Sequence, residues 1–336
     1  MKSLMITSTK SRAGKTTFGL GLLLNFSGSF GYFKPLANNL SEEGYDKDIL
    51  LFKRILGLEE EPQEMFVAKL DSSGVHWRLR SKLNKFKDKD LVLIESAHNL
   101  SYGAFLRLCS ACVSKILKNK ALIVAEGDLE NIVDKSLLGK AYFSSVGSEV
   151  LGVVINKVPL SNLEEVEDIV IPALENSGLE VFGVIPEKKI LSFLKVKDLL
   201  EELDAELLGG ESGLSREIET TVLGAIALDS ALKYFRKYMR KVVITGGDRS
   251  DIQLGALETS ISCLVLTGNL HPSPPVLAKA QELKVPVLLV EDDTYSAFQK
   301  VERVRSEIKP EDLKKIKTIE KMVASHVDLD GILEGI

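Results

Sequence analysis

Leu4-Met5-Ile6-Thr7 runs directly into Ser8-Thr9-Lys10-Ser11-Arg12-Ala13-Gly14-Lys15-Thr16-Thr17, and an apolar helical pattern follows over residues 15–26. A short buried strand, a turn ending in Gly-Lys-Thr and an immediate helix form the context of a phosphate-binding loop. The free backbone N–H groups of a helix start cradle an anion. Lys15 is placed to neutralise β- and γ-phosphates, and the Thr16 hydroxyl to reach Mg²⁺. In the usual G-x-x-x-x-G-K-T spacing the first glycine position is held here by Thr9. Lys10 lies five residues before Lys15. It reads either as a solvated loop lysine or as the second lysine that deviant loops of this type extend to a partner subunit's nucleotide.

Outward from this turn, short apolar runs alternate with helical patterns. Strands are expected at Leu4–Thr7, Gly31–Lys34, Leu91–Glu95, Ala121–Ala125, Val150–Asn156 and Val181–Ile185. Helices are expected near 15–26, 47–57, 103–118, 130–141 and 161–177. The strands are rich in Val, Ile and Leu on both faces, as in a parallel sheet covered on both sides. The alternation predicts an α/β fold with helices on both faces of a parallel sheet. The pattern breaks at Leu207-Leu208-Gly209-Gly210-Glu211-Ser212-Gly213, which reads as a linker over 207–215. A smaller α/β series follows, with helices near 217–223, 225–235, 251–258, 274–284 and 294–305 and strands Lys241–Thr245, Ser262–Thr267 and Val285–Val290. The expected organisation is a domain over 1–206, the linker, a second domain over 216–308 and a charged helical extension over 309–336.

The 336 residues suit two domains, and 45% apolar with 27% charged residues is ordinary globular usage. A net charge of −5 offers no basis for nonspecific nucleic-acid binding. No uncharged apolar run is long enough to span a membrane or serve as a secretory leader, so a cytoplasmic protein is expected. Three cysteines build no disulfide scaffold. Cys109-Ser110-Ala111-Cys112 is a lone C-x-x-C without the further ligands zinc requires, and reads as small core residues.

Gly31-Tyr32-Phe33-Lys34-Pro35-Leu36, Leu91-Val92-Leu93-Ile94-Glu95-Ser96, Gly152-Val153-Val154-Ile155-Asn156-Lys157-Val158-Pro159 and Gly183-Val184-Ile185-Pro186 fall in this order at successive strand ends. With the phosphate loop, this set resembles the P-loop NTPase fold of dethiobiotin synthetase over about the first 200 residues. Val242-Val243-Ile244-Thr245-Gly246-Gly247-Asp248-Arg249-Ser250-Asp251-Ile252-Gln253, Cys263-Leu264-Val265-Leu266-Thr267-Gly268-Asn269-Leu270 and Val285-Pro286-Val287-Leu288-Leu289-Val290 resemble a DRTGG domain, although no contiguous D-R-T-G-G string occurs. The pair of domains is similar to the N-terminal regulatory half of long bacterial phosphotransacetylases.

The resemblance implies ATP and Mg²⁺ as cofactors. It places nucleotide contacts on Thr9, Lys10, Ala13, Gly14, Lys15, Thr16 and Thr17. It puts Lys15 and Lys34 at the γ-phosphate, Thr16, Asp48 and Glu95 around Mg²⁺, and Asn156, with Lys157 beside it and Pro186 nearby, at the adenine. Hard oxygen ligands at strand ends suit Mg²⁺, and open α/β sheets bind ligands at their carboxyl edge. Two stretches depart from dethiobiotin synthetases: Asn38 replaces a serine, and Ser96-Ala97-His98-Asn99 replaces a glycine-rich substrate loop. The first expectation is therefore a nucleotide-responsive regulatory module, with a small metabolite or an acyl-phosphate enzyme as further partner. The alternative is an ATP-dependent ligase phosphorylating a carboxylate or carbamate. A homodimer is expected by the same resemblance. In the second domain, Gly246, Gly247, Asp248, Arg249, Thr267 and Gly268 end adjacent strands; they suit a second ligand or subunit packing, while Asp248 also reads as a plain helix cap.

Overall fold

The computed structural model describes residues 1–69, 76–225 and 227–336. The chain forms two compact units, Met1–Lys188 with Ile308–Ile336, and Lys189–Glu307.

The first unit is built on six parallel strands: β1 (Lys2–Ser8), β2 (Phe30–Phe33), β3 (Leu91–Glu95), β4 (Lys120–Ala125), β5 (Glu149–Val158) and β6 (Glu180–Pro186), in the order β2-β3-β1-β4-β5-β6. The central register sets Leu4 beside Leu93 and Ile6 beside Leu122. Leu4–Ile6, Leu91–Ile94 and Ala121–Ala125 are fully buried. Such strands need cover on both faces, which α1 (Lys15–Leu24), α2 (Lys47–Leu56), α3 (Ser110–Leu117) and α4 (Leu129–Val146) help supply. Because every strand points the same way, the residues following β1, β2, β3, β4 and β5 all emerge at one rim. The phosphate loop, the stretches after Phe33 and Glu95, Glu126 and Lys157 therefore converge by topology alone.

The expected charged extension at 309–336 is instead part of this unit. Helix Leu313–His326 packs along α1, Asn25 Nδ2 donates to the Glu320 carbonyl at 3.0 Å, and Val327 bridges to Gly183 at the edge strand. Lys120 Nζ reaches the Gly335 carbonyl at 2.8 Å. The reason lies in periodicity: Ile319, Met322 and Val323 form an apolar stripe inside an otherwise charged helix, and all three are buried.

The second unit has five strands, β7 (Glu206–Gly209), β8 (Thr220–Leu223), β9 (Lys241–Gly246), β10 (Ile261–Thr267) and β11 (Val287–Leu289), in the order β7-β11-β10-β9-β8. All pairs are parallel except β7 with β11. Alternate residues divide between two cores. Val243, Leu264 and Leu266 face Phe235 and Ile252, while Val242, Ile244 and Val265 face Val196, Leu199 and Leu203. That second core moves the boundary: residues 189–206, expected in the first domain, belong here because their apolar side chains cover this sheet. The first part of the expected linker belongs to the antiparallel edge strand β7, with Leu207 beside Leu288, and Glu211–Gly213 form a short 3-10 turn. The helix expected at 217–223 is also overturned. Glu217–Ile218 and β8 are extended, as the β-branched run Thr220-Thr221-Val222 favours.

A Cβ on Gly21 of α1 would lie 2.3 Å from Val323 Cγ2 and 3.2 Å from the Ile319 carbonyl oxygen. Valine in a helix has one favoured rotamer and cannot swing away. Gly21→Ala should therefore destabilise the first unit by about 1–2 kcal/mol, the overpacking term outweighing alanine's helix preference of about 1 kcal/mol. Val323→Ala in the same chain should recover part of the loss. Equal denaturation midpoints for Gly21→Ala and wild type would contradict this packing.

Candidate functional site

Gly14 ends the loop with φ +94°, a left-handed value that glycine alone adopts without strain, and α1 begins at Lys15. No side chain caps this helix start and no acidic residue lies in its first turn. Its N–H groups are left for an anion. Lys15 is buried; its Nζ donates to Ser8 Oγ at 3.1 Å and to the His98 carbonyl at 2.6 Å. Burial pushes its ammonium below the ordinary lysine range, against a raising pull from Glu95.

Glu95 closes β3 beneath the loop. Thr16 Oγ1 donates to its Oε1 at 2.8 Å and Tyr32 Oη to its Oε2 at 2.9 Å. Tyr32 is held by stacking on Phe52 of α2, with ring centroids 3.8 Å apart. Burial, and then the neighbouring Asp48 charge, push the Glu95 carboxyl up to about 7. Lys34 and Lys15 pull the other way without outweighing burial and Asp48, so a divalent ion would add the positive charge that favours the carboxylate. Thr16, Glu95 and Asp48 offer a hydroxyl and two carboxylates, the hard donors that fit Mg²⁺, with waters and phosphate oxygens completing its shell. Among the described residues no cluster of three His, Cys, Asp or Glu side chains forms a metal site unaided.

Lys34 directly follows the last residue of β2 and is 2% exposed. It pairs with Asp46 at 2.9 Å and with Asp48. Burial opposes its charge, but Asp48 and Asp46 outweigh it and hold the ammonium above the usual range. Asp46, absent from the sequence expectations, organises this corner. One carboxylate oxygen accepts from Lys34 Nζ and the Asp48 N–H, the other from the Asn38 and Asn39 N–H groups at 2.9 and 3.2 Å. Its sequence signal was an N-cap aspartate before an amphipathic helix, which α2 confirms.

The remaining expected contacts fall around the loop. Asn156 is buried, and its Nδ2 donates to the Ala13 carbonyl at 2.8 Å, so its amide holds the loop as well as facing the rim. Lys157 donates to the Arg12 carbonyl at 2.7 Å. Lys10 and Lys157 both pair with Glu126, each at 3.1 Å, and Thr9 Oγ1 accepts from the Glu126 N–H at 3.3 Å. Glu126 was also missed; it follows an apolar strand with no motif to mark it. Thr17 lies half-buried in the first turn of α1, and Pro186 is buried opposite Val158 at the end of β6. Cys109 and Cys112 are free thiols at the start of α3, Cys109 beside Tyr142 Oη at 3.0 Å.

In the second unit the small-residue loops are engaged within the chain. A Cβ on Gly247 would lie 1.6 Å from the Leu270 carbonyl oxygen. Gln253 Nε2 donates to the Gly246 carbonyl at 2.8 Å, Thr267 Oγ1 shares a hydrogen bond with Thr294 Oγ1, and Arg249 pairs with Asp251 at 3.0 Å. Gly268 turns the chain with φ +77°. The Asp248 side chain does not cap the following helix, whose N-cap position falls on Arg249.

An uncapped Gly-Lys-Thr helix start on a central parallel strand, with an acid closing the neighbouring strand, defines a P-loop domain of the NTPase class. The chain belongs to the AAA domain family, whose model matches residues 2–193, and a DRTGG domain follows over residues 198–304. Among curated relatives, the phosphate acetyltransferase of Nitratidesulfovibrio vulgaris is 28% identical across 97% of this chain and 50% of its own length. That of Synechocystis sp. is 24% identical across 98% and 51%. The chain thus spans about half the length of these relatives. Among solved structures, the MinC:MinD cell division complex of Aquifex aeolicus matches with a TM-score of 0.42 at 15% identity, over 57% of this chain and 84% of that one. The CBS and DRTGG domains of the Clostridium perfringens pyrophosphatase regulatory region, complexed with diadenosine tetraphosphate, match with a TM-score of 0.30 at 17% identity, over 49% and 83%.

Asp46→Ala should cost about 3–5 kcal/mol, because it leaves Lys34 half-paired and backbone donors unmet in a buried corner. Asp48→Ala should cost far less, since Asp48 is 25% exposed and Asp46 still answers Lys34. Denaturant titration of both variants measures the difference. Equal losses would remove Asp46 from its organising place.

Proposed function

We propose that this chain binds ATP with Mg²⁺ at the phosphate loop and works as a nucleotide-responsive regulatory module of the phosphotransacetylase kind. The observation that carries this reading is the convergence of Lys15, Thr16, Glu95, Lys34 and Asp48 on an uncapped helix start. Mg²⁺, held by Thr16, Glu95 and Asp48, would screen the phosphate charge. Lys15 would turn from the His98 carbonyl to the β- and γ-phosphates. Asn156 keeps its amide nitrogen on Ala13, which leaves its oxygen to accept from an adenine amino group; guanine presents a carbonyl there and would be disfavoured.

The ligase alternative requires a cation beside the γ-phosphate to receive a second, anionic substrate. Lys34, the lysine expected there, is already answered by Asp46 and Asp48. The stretch where dethiobiotin synthetases carry a substrate loop is turned inward, its His98 carbonyl on Lys15. Both observations favour the regulatory reading. Its partners would be a nucleotide, a second copy of the chain and an acyl-phosphate enzyme. We assign no ligand to the Gly246–Arg249 cluster in this reading. Among the described residues, no helix is long and apolar enough to cross a membrane.

Titration calorimetry with ATP and Mg²⁺ should show saturable binding that Lys15→Ala weakens at least about tenfold, the loss of one charge-assisted contact. Unchanged affinity would refute the loop assignment. Asn156→Ala should narrow the preference for ATP over GTP. Rapid ADP release that depends on an added small acid or amine, in a metabolite screen, would favour the ligase instead.

A further inference from the structure

We propose that His98 registers an occupied phosphate loop: its imidazole, neutral while the loop is empty, takes up a proton when a polyphosphate arrives and becomes an added cation against it. The inference rests on the ATP-binding reading above and deepens it.

The geometry makes His98 the meeting point of three strand ends. Its carbonyl, after β3, accepts from Lys15. Its Nδ1 lies 3.2 Å from Ser11 Oγ, inside the phosphate loop after β1. Its Nε2 lies 3.1 Å from Asn38 Nδ2, in the stretch after β2. The ring meets the edge of Tyr102 at 4.3 Å, which fixes its plane. The backbone lies at φ +38°, a left-handed value uncommon outside glycine.

The hydrogen bonds define the empty state. With the Asn38 amide nitrogen set toward the ring, as it is here, that nitrogen donates, Nε2 is assigned as the acceptor and the proton is assigned to Nδ1, facing Ser11. That is neutral imidazole. The charges around it explain why: burial, then Lys15 and Lys34, then Arg12, all disfavour a further positive charge, against a weaker opposite pull from Asp46. Lys15 and Arg12 face it from the phosphate loop, Lys34 and Asp46 from the stretch after β2, and the neutral Tyr102 from its own loop.

A polyphosphate in the loop reverses this balance. Its negative charge lies among Lys15 and the loop N–H groups and cancels the repulsion those cations exert on the ring. A proton then reaches Nε2, which must find an acceptor. One is in reserve: the Asn38 amide oxygen is buried without a hydrogen-bond partner. Turning the amide over offers that oxygen to Nε2–H while Nδ1–H keeps Ser11. No bond to carbon changes, and the proton comes from solvent. Loop occupancy is thereby linked to the rotamer of Asn38, which through its backbone N–H is tied to Asp46.

The chain contains four histidines, so their imidazole resonances are few enough to follow individually. His98→Asn identifies the His98 signal and suits the site, because asparagine tolerates positive φ better than most side chains. In the wild-type chain, NMR titration without metal should show the His98 pKa rising by about one unit or more on saturation with ATP. A one-unit rise makes ATP bind about tenfold more tightly to the protonated form. ATP affinity should therefore grow from pH 8 to pH 6 by up to that factor more in wild type than in His98→Asn. Comparing the two chains at each pH cancels the titration of ATP itself. Calorimetry in two buffers of different ionisation enthalpy should show more proton uptake by wild type than by His98→Asn. ATP binding that leaves the His98 pKa in place would overturn the proposal while the ATP-binding reading stands. No ATP binding by the wild-type chain would overturn both.

Discussion

Lys34 is a full charge in a place almost closed to water, and an unanswered ammonium there would cost several kcal/mol. Asp46 answers it with the same carboxylate that gathers the Asn38, Asn39 and Asp48 N–H groups. One buried side chain thus sets the path from β2 to α2. It places Asp48 at the rim, sets α2 so that Phe52 stacks on Tyr32, and so holds Tyr32 against Glu95. The acid that closes β3 and the buried lysine that follows β2 are thus both positioned through one carboxylate.

The balance of charge around the empty loop follows from this arrangement. Lys15 is pushed toward neutrality by burial, and Glu95 is pushed toward protonation by burial and Asp48. Each group is held away from its ordinary charge state in the direction that an incoming ion of opposite sign would correct. In the proposed ATP-binding reading a phosphate would restore the lysine and a divalent cation the glutamate, so that each ion would assist the other's binding through these side chains.

The sequence revealed the parts whose physics is local. Leu91–Glu95 and Leu4–Thr7 are apolar on both faces, and their strand ends carry Glu95 and the phosphate loop where expected. What it hid was set by distant contacts. Residues 189–206 look continuous with the first domain because nothing local says which sheet Val196, Leu199 and Leu203 will cover. The helix Leu313–His326 looks solvated because Lys314, Lys315, Lys317, Glu320 and Lys321 crowd its sequence, yet its narrow apolar stripe docks on Gly21. Asp46 caps α2, but its pairing with Lys34 spans a loop that no short motif describes. Thr220–Leu223 was misread because an edge strand keeps charged neighbours that resemble an amphipathic helix.

The two units show why a glycine between strand and helix does not by itself mean a ligand. At Gly247 the missing side chain makes room for the chain's own Leu270 carbonyl, so the close approach is already filled. At Gly14 the nearest atom to an added Cβ is the Asn156 amide nitrogen, at 2.2 Å, and that amide braces the loop from behind through Ala13. The helix after Gly14 has no side-chain cap, while the corner behind it is crowded with fixed polar groups. With its back held by the Asn156 and Lys157 side chains and its front uncapped, the loop leaves the first N–H groups of α1 without a side-chain partner, and an anion is the partner that would complete them.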